Sequence, residues 1–519
     1  MGEYSKLLGA AITSIVLMIA LCYAALMLRP DARRTTQLGS VKVYVAAGVA
    51  KPVEQLVKKF NQQYGANIEI ARIGGSGELA GQVKTEFLSG STNGADLLVT
   101  ADADLLEDAI VDGIVAESMD LAVQRPVIAV GVNSSLKIKN VLQLVRTENI
   151  RYGVASQRAA VGKLTREMAR ANGVLDELEA GKTVDAENVM TLAQALAAGS
   201  LDAAVIWDTT VWQVNSQHPK PVLKVISDPA GIRDYRSEIR VGIISSTSVA
   251  TESLRFARFL TAKETGQDDF EQFGFSFIVG DTWKEVPELH IYFGSMFTPV
   301  LETVVREFAQ REGVNIYPRW EGCGKLVSAI RTNKDSELFP DAFLACDRVF
   351  LEQVSDEFEA PQVFSTNEVV MAVSKKVPVA IDSPSKIIDA NLRVGICDPE
   401  SSALGKLTQD LLSNPPYTGL YSRIAGEAAV TVDVGPTLVS QLLSEGLDVG
   451  FVYRSNLLAD RHSMDELNLV KLASDKGNAT QPWAISKSTP HAQLVNRLFE
   501  RINQADVRSK MTEFGFGIN

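Results

Sequence analysis

Five short motifs occur twice in this chain, in the same order and at nearly constant spacing. Val43-Tyr44-Val45 with an amphipathic stretch ending near Phe60 returns as Ile291-Tyr292-Phe293 with a stretch ending near Phe308. Arg72-Ile73-Gly74-Gly75-Ser76-Gly77 returns as Arg319-Trp320-Glu321-Gly322-Cys323-Gly324. Val161-Gly162-Lys163-Leu164-Thr165 returns as Leu404-Gly405-Lys406-Leu407-Thr408. The run from Leu201 to Trp207 returns from Leu447 to Tyr453, and Phe273-Gly274-Phe275 returns as Phe514-Gly515-Phe516. The offsets lie between 241 and 248 residues. Solenoid units are far shorter, about 20–50 residues, so the pattern implies two copies of one domain. Repeat one is expected over 41–279 and repeat two over 289–519, with a short linker at 280–288 that carries Pro287. The length of 519 residues, too great for a single hydrophobic core, agrees.

Inside each repeat, short apolar runs alternate with amphipathic stretches. Val41–Ala47 reads as a strand, and Val53, Leu56, Val57 and Phe60 fall on one face of a helix over Pro52–Tyr64. Asn67–Ile73 and Ala95–Thr100 read as further strands. This β-α-β-α order predicts an α/β fold with a mostly parallel sheet and helices on both faces. Arg125–Val132 and Glu368–Ser374 read as strands crossing to a second lobe.

The N-terminus is different. Leu7 to Leu28 is a run of 22 uncharged residues, long enough to span a bilayer as a helix. No clean small-residue cleavage site follows it, so an uncleaved anchor at 7–28 and a linker at 29–40 are expected, with a cleaved signal as the alternative. The net charge of −12, with no basic stripe, excludes a nucleic-acid partner. The four histidines, His218, His290, His462 and His491, form no metalloprotease motif, and no nucleophile elbow is present. The glycine–lysine pairs Gly162-Lys163 and Gly405-Lys406 lack the spacing of a Walker loop. No catalytic residue and no cofactor is expected, and the chain reads as a non-enzyme.

Several strand ends turn through small residues into helices: Ala46-Ala47-Gly48, Gly74-Gly75-Ser76-Gly77 and Val161-Gly162. Small residues let backbone N–H groups approach a ligand, and a helix start presents free donors and a positive dipole end. Three such starts converging on one cleft would hold an anion without Lys or Arg. A lone Gly-Gly-Ser-Gly is more often only a flexible turn. The ordered set, however, resembles the molybdate-binding proteins of ABC importers, a type II periplasmic binding protein family. It comprises the small-residue turns, Ala95-Asp96 to Ala101-Asp102, Asp398-Pro399-Glu400, Asp202-Ala203-Ala204-Val205 and the closing Phe-Gly-Phe.

The resemblance implies two tandem type II periplasmic-binding-protein domains, each of two α/β lobes that close over an oxyanion, after one N-terminal transmembrane helix. It implies an ABC permease as partner and a location on the outer side of the plasma membrane. Positive-inside counting points the other way, since Lys6 precedes the span while Arg29, Arg33 and Arg34 follow it; large domains translocate against such a weak bias. Carried over residue by residue, the ligand-binding set in repeat one is Gly48, Ser76, Val161, Val189 and Trp207. Gly48 lacks the family's first serine, and Trp207 replaces its tyrosine. In repeat two the set is Ser295, Met296, Cys323, Leu404, Gly435 and Tyr453, with Cys323 in place of the second serine. Asp102 and Asp347 are expected as helix caps.

Three cysteines, Cys323, Cys346 and Cys397, map to cleft-facing strand ends of repeat two, opposite Ser76, Ala101 and Ala155 of repeat one. They suggest an alternative role as a membrane-anchored sensor or a redox or soft-metal protein. A disulfide is a further alternative; pairing Cys323 with Cys346 needs Cα atoms within about 7 Å, whereas alternate strands of a sheet usually lie farther apart, at about 9–10 Å. A scaffold with dead clefts is a third reading.

Overall fold

The computed structural model describes residues 40–228, 235–334, 336–426, 430–473 and 477–518. The expected anchor at 7–28 and nearly all of the linker at 29–40 lie outside these residues. Among the described residues no helix is long and apolar enough to cross a membrane.

Among the described residues repeat one contributes eleven strands. They are β1 (Val41–Ala46), β2 (Ile68–Gly74), β3 (Leu97–Thr100), β4 (Val115–Gln124), β5 (Pro126–Gly131), β6 (Tyr152–Ala155), β7 (Val184–Ala186), β8 (Ala203–Trp207), β9 (Leu223–Val225), β10 (Ser237–Ile244) and β11 (Ser276–Phe277). Repeat two contributes β12 (Glu288–Gly294), β13 (Asn315–Glu321), β14 (Ala342–Leu344), β15 (Gln362–Ser374), β16 (Val394–Cys397), β17 (Val430–Val432), β18 (Val449–Tyr453), β19 (Leu467–Lys471) and β20 (Asn478–Ile485). The two halves share one plan. Strands run β2-β1-β3-β10-β4 in the first lobe of repeat one and β13-β12-β14-β20-β15 in that of repeat two. The second lobes run β7-β6-β8-β5-β9 and β17-β16-β18-β15-β19.

The central strand β1 lies parallel to both neighbours, Val43 pairing with Ile70 on one side and Leu97 on the other. Helices cover both faces, so five of its six residues are buried, which is why it reads as an apolar run rather than an alternation. The following helix, Ala50–Tyr64, buries Val53, Leu56 and Phe60 and ends at Gly65, whose φ of +62° suits a glycine cap. Its counterpart, Thr298–Glu312, ends at Gly313 with φ +66°. The Phe-Gly-Phe motifs have the same cause: Gly274 and Gly515 take φ +81° and +83°, turning Phe275 and Phe516 into the core.

The crossovers differ from expectation and from each other. Each begins in the first lobe, well before the segment read from sequence. In repeat two β15 is one strand of 13 residues that pairs with β20 at its start and with β18 and β19 at its end. In repeat one the path breaks at Arg125 into β4 and β5. The cores follow suit. Apolar clusters of the two lobes are separate in repeat one, whereas one cluster runs through both lobes of repeat two.

The repeats meet through their first lobes, with the helix Thr298–Glu312 packed between Ala250–Thr261 and Ala492–Ile502. At the seam the buried Glu312 carboxylate accepts hydrogen bonds from Arg258 Nη1 (2.7 Å) and from Arg497 Nε (2.7 Å) and Nη2 (3.1 Å). Burial alone would raise the Glu312 carboxyl; the two guanidiniums outweigh it and hold the group below its usual value. Arg311 reaches back to Glu117 at 2.6 Å. The linker is pinned as well. Asp281 accepts from the backbone N–H of Gln493 and Leu494, both at 2.8 Å, at the start of the helix Ala492–Ile502. Trp283 packs against Phe60, Tyr64 and Phe259 of repeat one and donates its indole N–H to Tyr64 Oη at 2.8 Å.

Candidate anion site in the interlobe clefts

In repeat two all six residues read from sequence line one cavity between the lobes. Ser295, Met296 and Cys323 come from the first lobe, and Leu404, Gly435 and Tyr453 from the second. Three helices start there: Cys323–Thr332, Ala403–Ser413 and Gly435–Leu443. The glycine at 435 is required, since a Cβ would collide with Asn456 Oδ1. Tyr453 ends β18 and is 4% exposed, and its hydroxyl has no hydrogen-bond partner. Burial, then the nearby Asp347 and Cys397, pushes that phenol well above its ordinary value, so it stays a protonated donor.

The lobes of repeat two are shut. Gly324 N–H donates to Ser401 O at 3.1 Å across the cleft, and Lys325 Nζ pairs with Asp433 at 2.7 Å. Lys325 and the Ser401 hydroxyl hold the Asp433 carboxyl below its usual value. The free volume inside is about 20 Å³, room for one or two water molecules. The Met296 sulfur accepts from Gln481 Nε2 at 3.1 Å and offers the cavity no donor.

Cys323 and Cys346 form a disulfide with Cα atoms 6.2 Å apart. The separation is shorter than the spacing of alternate strands because both residues lie past the ends of β13 and β14, where the chains converge above Gly294 at the end of β12. A Cβ on Gly294 would run into the Cys346 sulfur, so glycine is what leaves room for the bridge. The bridge removes the thiolates that a soft-metal site at Cys323, Cys346 and Cys397 needs. Among the described residues no group of three or more His, Cys, Asp or Glu side chains is placed to hold a metal. Cys397 is a buried free thiol, pushed up by burial to about 12, the opposite of an activated thiolate.

Repeat one presents the same framework, opened. Ser76 starts the helix Ser76–Leu88, and its Oγ accepts from Ala101 N–H at 3.2 Å, leaving the hydroxyl hydrogen free to donate. Gly48 is exposed, and positions 75 and 77 have open space where repeat two has lobe contact. Val161 and Val189 lie at the starts of Ala160–Ala171 and Val189–Ala197, and Trp207 ends β8. One ion pair crosses this cleft, Lys163 Nζ to Asp102 Oδ2 at 3.4 Å. The expected cap at Asp102 is therefore not formed: its side chain makes no cap hydrogen bond and faces Lys163. Asp347 does cap, accepting from Val349 N–H at 3.0 Å and Thr480 N–H at 3.1 Å. Sequence reading missed Asn456, Ser401, Asp433 and the Lys163 contact. Only Asn456 carried a signal, three residues after Tyr453 at a helix start.

The family model for bacterial extracellular solute-binding proteins matches residues 41–276 and again 289–517. A binding protein of Haemophilus influenzae is 23% identical over 234 residues, which is 45% of this chain and 91% of that protein. Among solved structures, the periplasmic molybdate-binding protein of Azotobacter vinelandii is 15% identical, with 44% of this chain and 99% of that one covered and a TM-score of 0.38. Iron-bound HitA of Pseudomonas aeruginosa is 17% identical, with 45% and 84% covered and a TM-score of 0.40. The assignment rests on the family match, which spans both halves and leaves out little beyond the N-terminus and the linker. By that match, this chain belongs to the bacterial extracellular solute-binding proteins.

Proposed function

We propose that this chain is a membrane-tethered, extracytoplasmic binding protein for a small tetrahedral oxyanion of the molybdate type, serving the permease of an ABC importer. In this reading Leu7–Leu28 is the tether, and 41–279 and 289–519 are a tandem duplication of one binding domain. The observation that carries it is the buried Tyr453 hydroxyl. It has no partner, and Tyr453 is among the residues lining a cavity on which three helix starts converge. An orphan donor costs roughly 1–3 kcal/mol, and an anion at the helix starts would satisfy it. In repeat one the free Ser76 hydrogen and the starts of Ala160–Ala171 and Val189–Ala197 play the same part. An iron ion, as in HitA, fits less well, for want of a clustered set of carboxylate and imidazole donors among the described residues.

The test is titration calorimetry of the full chain against molybdate, tungstate, sulfate and phosphate. Binding of at least one of them, weakened by Ser76→Ala or Tyr453→Phe, is expected. Absence of binding to all four under both oxidising and reducing conditions would refute the reading.

A further inference from the structure

The two repeats make one hydrogen bond in common at the cleft, with different atoms. In repeat one Ala101 N–H donates to Ser76 Oγ at 3.2 Å. In repeat two Cys346 N–H donates to Cys323 Sγ at 2.9 Å. The Cys323 sulfur thus sits where a ligand-facing hydroxyl sits in repeat one. The difference lies in what it can offer. Ser76 keeps a hydrogen to donate, whereas a disulfide sulfur has none. The bridge lines the cavity together with the thioether of Met296 and the side chain of Leu404, in the space of about 20 Å³.

We propose that the Cys323–Cys346 disulfide is a redox gate on anion binding by repeat two. Oxidised, the cleft is shut and short of a donor; reduced, the Cys323 thiol donates to an anion as Ser76 does in repeat one. The inference rests on the reading of the clefts as anion sites.

The chemistry follows from exposure and from the helix start. Cys323 is fully buried and Cys346 is 7% exposed, so an external dithiol attacks Cys346 once the lobes part. The S–S bond breaks, a mixed disulfide forms on Cys346, and Cys323 leaves as a thiolate at the positive end of the helix Cys323–Thr332, which favours that leaving group. The second thiolate of the reductant then displaces Cys346. The net change moves two electrons and two protons to the cysteine pair and converts the dithiol to its disulfide. An anion bound beside Cys323 keeps the thiol protonated, because two negative charges at one helix start repel. The coupling is reciprocal: because the reduced form binds the anion more tightly, a bound anion favours the reduced pair by the same factor.

The experiment is calorimetry of the full chain with molybdate, oxidised and then reduced with dithiothreitol. The reduced protein is expected to bind one more anion per chain than the oxidised protein, with affinity at that site at least about tenfold higher. The variant Cys323→Ser/Cys346→Ala, which installs the residues of repeat one, should bind the extra anion without reductant and ignore dithiothreitol. Equal binding at the Tyr453-dependent site in both redox states would overturn the gate and leave the anion reading standing. So would binding by the double variant with none by reduced native protein. No binding of any oxyanion in any state would overturn both.

Discussion

Glu312 offers the sharpest perturbation, because the seam between the repeats depends on its charge. The carboxylate is 1% exposed and takes three side-chain hydrogen bonds from Arg258 and Arg497, each 6% exposed. Glu312→Ala strands two buried guanidiniums. Removing one partner of such a group costs roughly 3–5 kcal/mol, because the charges left behind keep their desolvation penalty. In a unit of the size of one repeat, about 2–4 °C of melting temperature is lost per kcal/mol, so a fall of about 6–20 °C is expected. The loss falls on the contact between repeats, so scanning calorimetry should show one transition in the native protein and two in the variant. Replacing the whole triad with apolar residues of similar volume should restore most of the loss, since buried ion triads exchange for apolar packing at little net cost. The pH dependence has a definite sign. Glu312 is held below its ordinary value, so its contribution is complete above the unfolded carboxyl value of about 4.3 and disappears as pH falls through the lowered folded value. A variant that melts within about 2 °C of the native protein, still in one transition, would refute the argument.

Tyr453→Phe should leave the melting temperature unchanged or slightly raised, since the hydroxyl has no partner, while weakening oxyanion binding by reduced repeat two about 10- to 100-fold in calorimetry. Ser76→Ala should weaken oxyanion binding by repeat one by a similar factor, read in the same titration. Gly294→Ala should destabilise the chain by about 1–3 kcal/mol through overpacking against the Cys346 sulfur and raise the count of titratable thiols as the bridge fails to close. Cys397, buried and pushed up to about 12, should resist iodoacetamide at pH near 8 in the folded chain and react once the chain is unfolded; labelling within minutes of the native protein would refute it.

Much of the architecture was legible because its causes are local. Gly65, Gly313, Gly274 and Gly515 mark helix ends and tight turns that need positive φ, and parallel central strands write themselves as apolar runs. Leu404, Gly435 and Cys323, carried over from the family resemblance, come together at one cavity because each stands at a helix start. Contacts across the cleft left no such trace. Lys325 meets Asp433, and Lys163 meets Asp102, only because two lobes close, and nothing along the chain announces partners 108 and 61 residues away. The disulfide escaped because strand spacing governs residues within a sheet, while Cys323 and Cys346 lie beyond its edge, above a residue without a side chain. The first-lobe half of each crossover escaped too, since Val115–Gln124 carries Glu117, Asp120 and other polar residues within its strand.

The pinned linker governs how the molecule can be taken apart. A protease needs a segment that peels away from the surface, and here peeling must break the Trp283 packing on one side and both Asp281 bonds on the other. The junction should therefore survive digestion that nicks looser loops. Cutting the gene there carries a hidden penalty. Repeat two expressed from residue 289 loses the carboxylate that caps the helix Ala492–Ile502, a cap worth about 1 kcal/mol, and exposes Glu312 and Arg497 to water. A fragment that behaves poorly would then report on the missing Asp281 rather than on the binding cleft.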